Sequence, residues 1–123
     1  MHTVLIVDDD LRFVFWLGTA LNQAGYEALP AKNFPDAIEL LNQIKFAIDL
    51  LIVNPALQGF ADFVNCVTRI PVPVIAVVEP SRTPPVPILG ADLIILKPEI
   101  ADERWKSELL YLLRGMVARG AGL

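Results

Sequence analysis

Cysteine and histidine are nearly missing from this chain: Cys66 and His2 are the only examples of each among 123 residues. A single cysteine excludes an internal disulfide and any cysteine-based metal cluster, so Cys66 reads as a reduced thiol on a helix. A lone histidine beside the N-terminus leaves Ser-His-Asp and Cys-His catalysis without a usable base. Positive charge is sparse as well. Ten Lys and Arg stand against fourteen Asp and Glu, for a net charge of −4, and half of the basic residues lie from Lys97 onward. No concentrated basic surface is therefore available for direct nucleic-acid binding. Nor does any apolar run reach the roughly 18 residues of a membrane span. At the N-terminus Asp8, Asp9 and Asp10 follow straight after a short apolar stretch, unlike a signal peptide. A soluble, cytoplasmic protein is the expectation, with no membrane and no nucleic acid among its direct partners.

What the chain does have is apolar material. With 54% hydrophobic and 20% charged residues, it can bury a core and is not a disordered segment. Its length fits one domain of the usual roughly 100 to 200 residues, expected to span 1–119 and to leave 120–123 as a frayed tail. Short aliphatic runs alternate with helical patterns, the signature of βαβ units and a parallel sheet covered on both faces. Strands are expected at Thr3 to Val7, about Tyr26 to Ala31, Leu50 to Val53, Val72 to Val78 and Asp92 to Leu96.

In the first helix Phe13, Trp16, Leu17, Ala20, Leu21 and Ala24 share one face, with Gly25 as the stop. Asn33 is placed to cap a second helix, which turns Ala37, Leu40, Leu41 and Ile44 inward. A third, from about Phe60 to Arg69, buries Phe60, Phe63, Val64 and Val67. The last begins near Asp102 with Trp105, Leu109, Leu112, Leu113 and Met116 as its apolar stripe. Between Glu79 and Leu89 four prolines remove amide donors, so irregular chain is expected where another helix would stand.

Sites in such sheets lie beyond the carboxyl ends of the strands. There the sequence puts Asp8, Asp9 and Asp10 after the first strand, Asn54 after the third, and Lys97 with Pro98 after the fifth. Clustered acids facing a lysine suit a hard cation and a phosphoryl group. They equally suit a strand end and helix start neutralised by Lys97.

Taken in order, VDDD, DLLIVNPALQG, PVIAVVE and GADLIILKP resemble the landmarks of the response-regulator receiver domain, the CheY-like fold, over Thr3 to about Arg119. The resemblance implies a doubly wound, flavodoxin-like α/β fold with five parallel strands in the order 2-1-3-4-5. It also implies that Asp8 and Asp9 match the Mg²⁺-holding pair and Lys97 the lysine that contacts the phosphoryl group. The departures fall on the chemistry. Asn54 stands where the phosphoacceptor aspartate belongs, and a neutral amide is no carboxylate nucleophile. Deamidation is blocked because Pro55 has no backbone N–H to cyclise through. Val78 replaces the hydroxyl residue and Ile94 the aromatic switch.

The expectation is thus a degenerate phosphoacceptor pocket of Asp8, Asp9, Asn54, Val78 and Lys97, in a pseudo-receiver that is not an enzyme. No cofactor is expected beyond weak Mg²⁺ at Asp8 and Asp9. The domain is expected to act through protein contacts in a two-component-type system. Candidate partners are a histidine kinase, another signalling protein or a second copy of the chain. The expected contact surface is the outer side of the first helix, at Leu11, Val14, Phe15 and Gly18. Two alternatives stand beside this reading: a phosphorylatable domain using Asp10 or Asp62, and a purely structural dimerisation module.

Overall fold

The computed structural model describes residues 2–43, 47–67, 72–82, 88, 90–98 and 102–121. The elements run β1 (Thr3–Val7), α1 (Leu11–Gln23), β2 (Glu27–Ala31), α2 (Phe34–Gln43), β3 (Leu50–Val53), α3 (Phe60–Val67), β4 (Val74–Val78), β5 (Leu93–Leu96) and α4 (Glu103–Ala121). The five strands form one sheet in the order β2-β1-β3-β4-β5. Every neighbouring pair is parallel. This is the doubly wound topology expected from the sequence.

Alternate residues of a strand point to opposite faces, and two cores result. Leu5, Val7, Leu51, Val53 and Val74 meet Phe34 and Ala37 of α2 and Phe60, Phe63 and Val64 of α3. Val4, Ile6, Leu50, Ile52, Ile75 and Val77 meet Phe13, Leu17 and Leu21 of α1 and Leu109 and Leu113 of α4. Burial on both faces explains why β1, β3 and β4 are continuous apolar runs. Each fully buried Leu, Ile or Phe contributes about 1.5–3 kcal/mol.

Side-chain caps set the helix starts. Asp10 accepts from the Phe13 N–H at 3.3 Å, Asn33 from the Asp36 N–H at 2.7 Å and Asp102 from the Trp105 N–H at 3.1 Å. The end of α1 is a Schellman turn. Gly25, at φ 95°, donates to the Asn22 carbonyl, and Tyr26 donates to that of Leu21. Because Tyr26 closes the helix, β2 begins at Glu27 and not at Tyr26. Similarly β4 begins at Val74 and not at Val72, since Pro73 offers the ladder no donor. Asp92 exchanges bonds with Val74 through its side chain and backbone, so β5 starts one residue later, at Leu93.

Four assignments of side chains need correction. Ala24 is exposed because it is the C-cap, beyond the last inward turn of α1. Leu112, at 41% exposure, lies beside the buried stripe of Leu109, Leu113 and Val117, which follows the i, i+4, i+8 line of α4. Val14, assigned to the outer side of α1, is buried in the core shared with β1 and α4. Gly18 is half-buried and faces Ala28 of β2, 3.8 Å from where its Cβ would stand. Helix α4 also continues through Gly120 to Ala121, past the expected boundary at 119. Ile44 and Arg69, the side chain of Val67 and residues 122–123 lie outside the described residues.

No helix lies between β4 and β5 among the described residues. Ile88 and Ala91 of this connection pack on the core of α2 and α3. Gly90, at φ 84°, passes so near α3 that a Cβ would come within 2.6 Å of Val64 Cγ1. The far part of β5 stays uncovered on that face, with Ile94 at 52% and Leu96 at 65% exposure.

Candidate functional site

The carboxyl ends of β1, β3, β4 and β5 bring together five groups that the sequence spreads from position 8 to position 97. The backbone ladder delivers them. Asn54 N–H donates to the Val7 carbonyl at 2.9 Å and Lys97 N–H to the Val78 carbonyl at 2.8 Å, so each side chain leaves its strand at a fixed height.

Asp8 is buried, at 2% exposure. Its Oδ1 accepts from the Asp10 N–H at 3.0 Å and from Asn54 Nδ2 at 3.4 Å, and its Oδ2 accepts from Lys97 Nζ at 2.9 Å. Three donors on two oxygens suit the ionised carboxylate, which is acceptor-only. Burial nevertheless pushes the Asp8 carboxyl above its ordinary range, against the Asp10 N–H and Lys97, which pull it down.

Asn54 has no exposed surface. Its Oδ1 accepts from the Ala56 N–H at 3.0 Å, stepping over Pro55, while its Nδ2 donates to Asp8. Both ends of the amide are thus engaged in the way only an amide allows.

Lys97 enters from the opposite side, its side chain 8% exposed. The ammonium lies 2.6 Å from Glu79 Oε1, 2.9 Å from Asp8 Oδ2 and 3.4 Å from Asp10 Oδ2. It also stands 4.7 Å from the centre of the Phe13 ring. Burial pulls its pKa down, but Glu79 and Asp8 together outweigh burial and raise it. Lys97 is a fixed cation.

Asp9 does not join this inner group. It turns outward to Arg82, whose Nη1 reaches both carboxylate oxygens, at 2.9 and 3.2 Å. The guanidinium holds the Asp9 carboxyl below its ordinary range, and Asp9 raises the pKa of Arg82 in return. Arg82 Nε also stands 3.4 Å from Glu79 Oε2. The structure therefore brings Asp8, Asn54 and Lys97 together as the sequence suggested and keeps Asp9 at the rim. Val78, half-buried at the end of β4, offers its backbone carbonyl to Lys97 and only hydrocarbon from its side chain.

Glu79 and Arg82 were missed by the sequence analysis, which treated their segment as irregular chain. A signal existed: an acid directly after a buried strand, with a base three residues on. Nothing local says that the base reaches a residue 73 positions away.

The residues present do not fit a divalent metal. Among the described residues no group of three or more His, Cys, Asp or Glu is arranged to hold one. The oxygens of Asp8 and Asp9 are already directed at Lys97, Asn54 and Arg82.

No protein-family model and no curated protein sequence matches the chain. Solved structures do. The chain is similar to a response regulator receiver domain protein from Clostridium thermocellum, at 16% identity, TM-score 0.77 and 98% of each chain covered. It is also similar to a CheY-like receiver domain protein from Methanospirillum hungatei JF-1, at 20% identity and TM-score 0.74, over 96% of this chain and 98% of that one. The chemotaxis response regulator CheY4 of Vibrio cholerae matches at 24% identity and TM-score 0.71, over 94% and 98%. The chain has the receiver-domain fold. In that fold, the pocket just described occupies the strand-end position where the sequence resemblance put the acids and the lysine.

Outside the pocket, α1 exposes Leu11 at 60% and Phe15 at 74%. They border a shallow groove of about 300 Å³ against Ala28 and Pro30 of β2. Cys66 is an exposed free thiol on α3. No helix among the described residues is long and apolar enough to cross a membrane.

Proposed function

We propose that the chain is a receiver-type signalling module that takes no phosphoryl group and acts through protein contacts in a two-component-type regulatory system. The single observation behind this reading is the fully buried Asn54 amide. It donates to Asp8 and accepts from Ala56 at the end of β3, where phosphotransfer would need a free carboxylate nucleophile. Val78 and Ile94 agree with it, because neither side chain can hydrogen-bond an incoming group. The similar solved structures, receiver domains and a chemotaxis regulator among them, support the signalling half of the proposal.

Incubation with acetyl phosphate and Mg²⁺, followed by intact mass, tests the loss of chemistry. No added phosphate is expected, and beryllofluoride should leave the spectrum unchanged. A gain of one phosphate would overturn the reading and favour an acceptor such as Asp10 or Asp62. Asp10 is the N-cap of α1 and already faces Lys97. Asp62 lies in the first turn of α3.

The contact surface is assigned to Leu11 and Phe15. Replacing Phe15 with Glu should change stability by no more than about 0.5 kcal/mol, as for other exposed positions, while abolishing partner capture or self-association. Light scattering and capture with candidate histidine kinases supply the measurement. Unchanged binding would move the surface elsewhere.

A further inference from the structure

The acids at the mouth of the pocket hold no arrangement for a divalent ion, yet they are not left without a counter-charge. We propose that Arg82 is the pocket's resident cation: its guanidinium takes the position at Asp9 that a divalent ion would need, and it ties the chain after β4 to the chain after β1. This goes beyond the proposed loss of phosphotransfer, since a domain with an unreactive amide at position 54 could still have kept a metal.

Three observations carry it. First, Arg82 Nη1 spans both oxygens of Asp9, at 2.9 and 3.2 Å, so a cation from solution would have to compete with the guanidinium for either one. Second, the groups form one chain of alternating sign, from Asp9 through Arg82, Glu79 and Lys97 to Asp8. The successive contacts are 2.9, 3.4, 2.6 and 2.9 Å. Glu79, 12% exposed, links the two cations with one oxygen apiece. Third, the backbone at Arg82 is held in a turn. Its N–H closes a turn onto the Glu79 carbonyl at 3.2 Å, which puts the side chain back over the strand ends.

The chemistry of the alternatives points the same way. Mg²⁺ gives up its hydration shell reluctantly and needs convergent, charged oxygens. Here Asp8 is engaged by Lys97, Asn54 and the Asp10 N–H, and Asp9 by Arg82. Four carboxylates, Asp8, Asp9, Asp10 and Glu79, face two cations, Lys97 and Arg82. Removing Arg82 changes that local balance from −2 to −3 and frees both oxygens of Asp9. Because Asp9 and Arg82 are both well exposed, at 47% and 40%, the clasp competes against weak ligands. A metal bound through one or two carboxylates is such a ligand.

The test compares the wild type with Arg82→Gln and Arg82→Lys, using calorimetric titration with MgCl2 and MnCl2 and thermal melts against NaCl of equal ionic strength. Wild type and Arg82→Lys should show no specific divalent response. Arg82→Gln should gain one, with affinity raised at least about tenfold and a melting temperature that rises with metal. The proposal is overturned if the wild type binds either metal as tightly as Arg82→Gln, or if Arg82→Gln is as unresponsive as the wild type. Phosphate transfer is read separately by mass, so failure here and failure of the proposed function are distinguishable.

Discussion

The inner and outer halves of the pocket use the same chemistry in different solvents. Inside, Asp8, Asn54 and Lys97 are almost wholly removed from water and every bond is matched by a partner. At the rim, Arg82 Nη1 alone is shared between the two oxygens of Asp9, with roughly half of each side chain in water. Burial makes a charge expensive to leave alone, so an inner partner cannot be removed cheaply. Exposure lets water replace a lost partner, so the rim pair orients the chain more than it stabilises it. The two acids even respond to pH with opposite sign, because burial dominates at Asp8 and the guanidinium dominates at Asp9.

Lys97→Met should have the largest effect. It leaves Asp8 buried without a cation and Glu79 with only Arg82, at 3.4 Å, and unfolding in urea should show a loss of about 3–5 kcal/mol. A loss below that of the rim variants would erase the contrast between the two halves.

Asn54→Asp comes next. It replaces a donor to Asp8 with a second carboxylate at a fully buried position, at a cost of about 1–3 kcal/mol near neutral pH. The introduced carboxyl has a raised pKa in the folded state, so its contribution is favourable below its unfolded pKa and is lost as pH rises through the folded value. The deficit relative to wild type should therefore shrink on acidification. A deficit that grows instead would show that the amide is not serving Asp8. Slow phosphorylation of this variant is compatible with the proposal, whereas a full conformational switch is not, since Val78 and Ile94 remain.

Arg82→Ala should cost less than about 1 kcal/mol in equilibrium unfolding, and high salt should reduce that further. The pH dependence has a defined sign. Asp9 has a lowered folded pKa, so its stabilisation by Arg82 is present above its unfolded value, 3.8. It is lost as pH falls through the folded value. Wild type and variant should converge at the acid end. Curves that stay parallel would mean that Arg82 acts through packing.

The legibility of the sequence followed the range of the interactions. Strands β1 and β3 were read to the residue because burial on both faces makes them unbroken aliphatic runs, ended by Asp8 and Asn54. The cap at Asn33 was equally readable, since a cap is made within three residues. Val14 was misplaced because a helical wheel assumes a single neighbouring layer. In the fold, α1 is flanked by the sheet and by α4, and the half-circle of buried positions widens to include it. Asp9 was grouped with Asp8 because adjacent residues look alike in sequence, although the chain leaving β1 points them to opposite sides.

Composition and periodicity alone determined the class of fold and the positions of most strands and helices. Those properties depend on side-chain type and on repeats of two or 3.6 residues. Only the tertiary structure decided what the charges do to one another. Coulomb and hydrogen-bond energies depend on separations of a few ångströms, and nothing along the chain brings position 82 to position 9 or position 97 to position 8. The sheet order does, by setting β1 between β2 and β3 and gathering the ends of β1, β3, β4 and β5 at one edge.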